Sequence, residues 1–286
     1  MKQYLCLALA AASGAAAAQT PALNLMPDGS RDLYLGLGAV SAPRYEGASE
    51  RKVSAWPVVQ FEWSNGIFIS GASAGMHLSG APAIEYGPLL ALQPRRDDRG
   101  SASGAGGIEA TAPAGLISPP MTTQRVTRSG SGLAGMDVID ARLQAGAFFN
   151  MNLTPHLRWT NSLLVGSANS RKGATWSVGV QHIAAGLAAH HTLALSAGLT
   201  LANRQYAQAF FGVSEAEAER SGYRQYRAAA GVKDIHLGAR WNWALAPAWI
   251  VTSNLQATRL AGSAKHSPLV QRPTNMTVST ALAYRF

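Results

Sequence analysis

Apolar and polar positions alternate with a period of two along much of the chain. In 275–286, Met276, Val278, Thr280, Leu282, Tyr284 and Phe286 fall on one face, and Asn275, Thr277, Ser279, Ala281, Ala283 and Arg285 on the other. Successive side chains of a strand point to opposite faces, so this run is a strand with one apolar and one polar side. The division recurs: Ile235, Leu237, Ala239, Trp241, Trp243 and Leu245 oppose His236, Gly238, Arg240, Asn242 and Ala244, and Leu193, Leu195, Ala197, Leu199 and Leu201 oppose Thr192, Ala194, Ser196, Gly198 and Thr200. Ile139, Ala141, Leu143, Ala145, Ala147 and Phe149 likewise oppose Asp140, Arg142, Gln144 and Gly146. The second face carries charge in mid-strand.

An aqueous lumen tolerates such charges and lipid does not, so the pattern predicts an all-β transmembrane antiparallel barrel. Candidate strands fall near 31–41, 54–63, 66–79, 85–95, 138–150, 155–168, 174–187, 190–202, 230–245, 248–260 and 275–286. Eleven is an odd count, and a barrel with both termini on one side needs an even one. The expectation is 12 strands, the missing one hidden before residue 54 or around Tyr223 to Ala230, with 10 as the fallback. Short connections at 150–155, 188–191 and 245–249 belong on the periplasmic rim, and long ones near 42–53, 97–136, 203–222 and 261–274 on the outside. Trp63, Trp159, Trp176, Trp241, Trp243, Trp249 and Tyr284 lie near strand ends, where interfacial girdles form. The stretch 97–136, rich in Gly, Ser, Ala, Thr and Arg, is expected to be a flexible loop. Ser214-Glu-Ala-Glu217 has capping-box spacing and Gly222 ends the helix it starts.

The N-terminus fits this compartment. Lys2, the apolar run Leu5 to Ala12 and Ala15 to Ala18 read as a cleaved signal peptide over 1–18, leaving the barrel in 19–286. The single cysteine, Cys6, falls inside that segment, so the mature chain needs no disulfide. Only 14% of the 286 residues are charged, yet no apolar run after the signal is long enough for a spanning helix. Removing Lys2 leaves 23 basic and 15 acidic residues, a net charge of 23 − 15 = +8. No basic helix or stacking motif accompanies it, so phosphates of lipopolysaccharide suit the balance better than nucleic acid. Arg95, Arg96 and Arg99 stand at the base of the long loop, where guanidinium forks match phosphate.

Motifs for catalysis are weak. Gly71-Ala-Ser73-Ala-Gly75 matches a nucleophile elbow, but the flanks read as one continuing strand with no helix behind it. His190-His191 sits in a turn, and His77, His156, His182 and His236 are scattered over separate strands. No catalytic, cofactor or metal site is expected, and the chain is read as a non-enzyme; an outer-membrane hydrolase is the remote alternative.

Tyr206, Phe210-Phe211-Gly212-Val213-Ser214, Ala218, Ser221-Gly222, Tyr226 and Gly231, with Arg259-Leu260, Ser267-Pro268-Leu269-Val270 and the terminal Tyr284-Arg285-Phe286, resemble the MipA/OmpV family of MltA-interacting outer-membrane proteins. Pro43-Arg44-Tyr45-Glu46-Gly47 and Trp56-Pro57 extend the resemblance to the N-terminal part. It implies a monomeric barrel in the outer membrane of a Gram-negative bacterium, acting as a scaffold for murein-remodelling enzymes, a murein lytic transglycosylase and a penicillin-binding synthase. Other members imply a small pore or permeability protein, or a surface adhesin. Gly262-Ser263-Ala264 departs from the acidic residues often found there. A terminal aromatic strand resembles the signal read by the barrel assembly machinery, which assigns that role to Tyr284 and Phe286. Asn152, His190, His191 and Trp249, on the short turns, are the expected periplasmic contacts.

Overall fold

The computed structural model describes residues 31–79, 83–101, 132–185, 188 and 190–286. The segment 1–18 and most of the long loop, 102–131, lie outside them. Twelve strands close an antiparallel barrel. In chain order the elements are β1 (Arg31–Pro43), β2 (Arg51–Trp63), β3 (Ile67–Ser70), β4 (Ser73–Met76), β5 (Ile84–Gln93), the two-residue strands β6 (Arg96–Asp97) and β7 (Gly100–Ser101), β8 (Arg142–Asn152), β9 (Leu157–Ser167), β10 (Gly173–Ala185), β11 (His191–Ala202), helices α1 (Arg204–Phe211) and α2 (Glu215–Ser221), β12 (Gly231–Ala246), β13 (Trp249–Leu260) and β14 (Thr274–Arg285). Strands β6 and β7 form a separate ribbon; the others are the wall. Strand β14 closes the ring on β1, in register from Tyr34↔Arg285 to Ser41↔Val278.

The predicted faces hold. Leu37 and Val53 stand outward, each 73% exposed, and Leu143, Ile235, Leu237 and Leu282 share that surface. A closed ring satisfies every backbone group of a spanning segment internally, which lets strands cross lipid. Polar residues of the alternate face turn into the lumen and are buried there: Asn150 and Arg158 at the end that carries the termini, Gln144 and Thr200 nearer the other. Arg158 pairs with Glu85, and Thr252 donates to Asn242 at 2.7 Å.

The count of twelve stands, but neither expected position of the missing strand does. The run 66–79 folds back on itself at Gly71-Ala72, so β3 and β4 pair as a hairpin with Ser70 opposite Ser73. Gly71 has φ +59°, which tight two-residue hairpins require and which costs a glycine little. Alternation continues across so short a turn, so the pattern of the run is that of one strand. The same observation corrects the reading of Gly71 to Gly75 as a continuing strand: a turn is present, and it leads to another strand.

The hairpin is short. Strand β2 meets β3 only over Gln60 to Glu62. Its residues 51–58 pair with β1 alone among the described residues. Gly71 N–H donates to Val59 O, so Val59 faces the β3 side, and Pro57, two residues on, faces the same way. The missing N–H of proline therefore falls where no ladder bond is lost.

Long connections gather at the end opposite the termini and pack into a cap. Tyr45, Ala48, Leu133, Met136, Val213 and Leu269 form one buried cluster, and Ala207, Phe211, Ala228, Leu260 and Ala264 a second. Residues 132–136, expected within a flexible loop, instead supply Leu133 and Met136 to buried positions, and Ile139, expected on the apolar face of a strand from 138, precedes β8 and is buried as well.

Candidate functional site

The cap and the lumen beneath it form the most elaborated region of the molecule. Helix α1 begins at Asn203, whose side-chain oxygen accepts from Tyr206 N–H at 2.9 Å while its amide donates to Lys172 O at 2.7 Å. This N-cap ties the helix to the β9–β10 turn. Helix α2 has the predicted capping box: Ser214 N–H donates to Glu217 Oε2 at 2.8 Å, and Glu217 N–H to Ser214 Oγ at 3.3 Å. Gly222 ends it at φ +75°. Burial works against the Glu217 carboxylate, but N–H donors from Asp137 and Ser214 and the Ser214 hydroxyl outweigh it and hold the pKa below the ordinary value. Helix α1 went unpredicted, although Asn203 three residues before Tyr206 is a start signal.

Arg96 closes the other end of α1. Its guanidinium donates to Phe210 O at 2.7 Å and Ala209 O at 3.1 Å, where a cation complements the helix C-terminus. At 4% exposure it cannot face a lipid phosphate, so the expectation for Arg96 is corrected: desolvation in the cap lowers its pKa, and the carbonyls take its donors. Arg95 and Arg99 stay at the surface. Arg95 lies 3.6 Å from both Asp97 and Asp140, and Arg99 N–H donates to Asp97 at 2.9 Å.

Strand β12 contributes a feature that alternation hides. Thr200 pairs with Asp234 but Leu201 with Val232, so Lys233 is an extra residue, a bulge. A bulge re-aims a side chain, and here it lets neighbours Lys233 and Asp234 both turn inward. Lys233 Nζ reaches Glu46 Oε1 at 2.7 Å and Asp234 Oδ2 at 3.1 Å, and Asp234 Oδ1 lies 3.0 Å from His236 Nδ1. Glu46 belongs to the β1–β2 loop, so this network joins cap to wall. Lys233 Nζ also sits 5.5 Å from the centre of the Tyr206 ring. Burial raises the Tyr206 phenol, helped by the charge of Glu46. It likewise pushes Tyr45 up to about 12, with Tyr223 and Glu50 adding to the effect.

Below these groups lies a cavity of about 220 Å³, walled by Gln93, Gln144, Ser162, Thr175, Ser177 and Thr200 and roofed by Tyr45, Arg96, Tyr206 and Phe210. No group of three or more His, Asp or Glu able to hold a metal occurs among the described residues. His156 and His182 approach each other, with ring centres 6.3 Å apart; His77 packs against Phe68 and Phe148.

The residues expected as periplasmic contacts lie at the opposite end, dispersed over three turns. His190 is exposed with φ +67°. His191 stacks on Trp241 and Trp243, with centres 5.6 and 5.5 Å away, and accepts from Trp241 Nε1 at 3.1 Å. Asn152 ends β8, and Trp249 packs edge-on to Tyr284 at 5.0 Å. Tyr284 in turn meets Phe286 at 4.8 Å, and Phe286 N–H donates to Leu33 O at 2.9 Å. The terminal aromatic is thus joined to the first strand.

Comparison with known structures finds outer-membrane barrels at low similarity. The translocator domain of the autotransporter NalP from Neisseria meningitidis is 9% identical, with 92% of this chain and 91% of that one covered and a TM-score of 0.43. The toluene transporter TodX of Pseudomonas putida is 8% identical (93% and 92% covered, TM-score 0.41), and the COG4313 outer-membrane channel of Pseudomonas putida F1 is 10% identical (90% and 94%, 0.40). No curated protein matches the sequence. The family model described as MltA-interacting protein MipA matches residues 35–286. That match takes in the wall from β1 to β14 and every described part of the cap, and the chain therefore belongs to the MipA family.

Proposed function

We propose that this protein is a non-enzymatic scaffold of the Gram-negative outer membrane, which presents its turn end to a murein lytic transglycosylase and keeps its lumen shut. The observation that carries the reading is burial inside the barrel. Polar lumen residues that an open channel would wet are enclosed along its height, from Thr200 and Gln144 under the cap to Asn150 and Arg158 near the termini. Open aqueous porins use 16 or more strands, whereas twelve leave a lumen that side chains can largely fill. The family's name supplies the class of partner. The short turns with Asn152, His190, His191 and Trp249 then face the periplasm, where murein enzymes work, with a penicillin-binding synthase as second partner. Lipopolysaccharide meets Arg95 and Arg99 at the loop end.

The test pairs two measurements. Purified protein in planar bilayers should give no steady single-channel current, and crosslinked cells should yield a murein lytic transglycosylase with the tagged barrel. Steady currents with no murein enzyme recovered would overturn the scaffold and favour a small pore.

A further inference from the structure

The cavity under the cap has a distinctive balance of charge and hydrogen-bonding capacity. Arg96 and Lys233 bring two positive charges to its wall. Glu46 lines it too, and Asp234 stands behind Lys233; both carboxylates pair with that ammonium, while Arg96 is spent on the carbonyls at the end of α1. Two cations and two carboxylates leave the wall with no net charge, so an ion entering here would meet no net counter-charge, and burying a charge without one is costly.

Neutral polar groups are another matter. The side chains of Gln144 and Ser162 line the cavity at 8% and 5% exposure, and neither side chain bonds to another among the described residues. Buried polar groups are ordinarily satisfied. An amide and a hydroxyl each donate and accept. Ser177 and Thr200, whose hydroxyls are 3.5 Å apart and only weakly engaged, extend the same polar wall along with Thr175. Opposite them, Tyr206 and Phe210 stack with ring centres 4.4 Å apart, so the roof is aromatic.

We propose that this cavity binds a neutral, hydroxyl-rich molecule of about monosaccharide size. A cavity of about 220 Å³ holds several waters, which a hexose can replace. Sugar hydroxyls satisfy Gln144 and Ser162, whose requirement for both donors and acceptors a carboxylate or an ammonium meets only in part. The proposal is independent of the scaffold reading, since it needs neither a murein enzyme nor a closed pore.

The full chain in detergent, titrated calorimetrically, tests it with D-glucose and N-acetyl-D-glucosamine as neutral probes, D-gluconate as the anion and D-glucosamine as the cation. Saturable binding of a neutral sugar is expected, weakened about tenfold by Gln144→Leu and by Ser162→Ala, each of which removes a hydrogen-bond partner. Val53→Ala on the outer face should leave affinity unchanged. Each variant is first checked for the gel shift between unboiled and boiled samples that marks a closed barrel. Should Gln144→Leu fail that check, Ser162→Ala, which deletes one hydroxyl, carries the comparison. Absence of saturable binding by both neutral sugars, binding of gluconate or glucosamine as tight as theirs, or unchanged affinity in a folded Ser162→Ala protein would overturn the proposal.

Discussion

The wall and the cap are held together by different means. Apart from the short β3–β4 hairpin, the wall strands pair with their neighbours residue by residue along most of their length, and the β1–β14 seam joins the two ends of the chain. The cap relies on single side chains that span long stretches of chain: Tyr45 donates to Leu269 O across 224 residues, Arg96 to Phe210 O across 114, and Ser267 to Phe211 O across 56. Loss of one ladder pair leaves the ring closed. Loss of one cap group leaves loops that no regular structure holds. The wall is therefore tolerant and the cap is brittle, although both belong to one barrel.

The largest effect expected from this contrast is in the cap core. Phe211, 1% exposed, lies between Ala207, Leu260 and Ala264. Phe211→Ala should cost the cap about 3–5 kcal/mol, the usual range for a buried phenylalanine. Limited proteolysis should then cut in 203–230 while the boiled-versus-unboiled gel shift persists. Simultaneous loss of the shift would mean that cap and wall form one cooperative unit. The reciprocal change is Leu237→Arg, which puts a charge on the lipid face at a cost of about 2–4 kcal/mol near the membrane midplane. It should lower the unfolding midpoint of the whole barrel in urea and leave cap protection unaltered.

Alkaline pH separates the two regions again. The Tyr45 phenol is raised from 10.0 to about 12 by burial, so the folded cap retains a proton that the unfolded chain releases. Its contribution is full below about pH 10 and is lost as pH climbs through about 12. Cap amides should exchange faster across that window while the wall keeps its protection. Tyr45→Phe should reduce the response by removing one of two raised phenols, leaving that of Tyr206, and should weaken the cap at neutral pH by the lost bond to Leu269 O. An unaltered alkaline profile in that variant would assign the transition to other groups.

The same contrast explains what was legible in the sequence. Wall faces follow from a period of two, and Leu237, His236, Val278 and Ser279 stand on the sides that their alternation gives. The β3–β4 hairpin escaped because Gly71-Ala72 interrupts no hydrophobic pattern. Lys233 escaped because a bulge shifts the phase by one residue, and no local signal in Val232-Lys233-Asp234 marks that shift. In the cap, α2 was legible from Ser214, Glu217 and Gly222, which are adjacent in the chain. The place of Arg96 was not: among charged neighbours it looks like a surface cation, and only the fold brings the end of α1 above it. Cap residues such as Tyr206 and Phe211 were singled out by family resemblance, which reports that they matter without saying what they touch.

The smallest effect, and the one that isolates a local element within the cap, belongs to the α2 capping box. Ser214 Oγ accepts from Glu217 N–H, and the Glu217 carboxylate accepts from Ser214 N–H and, at 3.0 Å, from Asp137 N–H. Ser214→Ala removes both bonds of that hydroxyl, the one accepted from Glu217 N–H and the one donated to the carboxylate at 2.8 Å, and should cost about 1 kcal/mol, as N-cap replacements do. The cost should depend on pH in a defined direction. With its pKa held below the ordinary value, Glu217 stabilises the fold fully above the unfolded-state pKa and ceases to do so as pH falls through its folded one. Acidification should therefore loosen α2 and the 132–139 segment together, because Asp137 N–H is bonded to the same carboxylate. Glu217→Gln should abolish that acid-dependent step while preserving the hydrogen-bond geometry in part. Hydrogen exchange of α2 amides between neutral and acidic pH measures both. If the Glu217→Gln protein loosens over the same interval as the parent, the acid response comes from elsewhere in the cap and the box contributes only its bond.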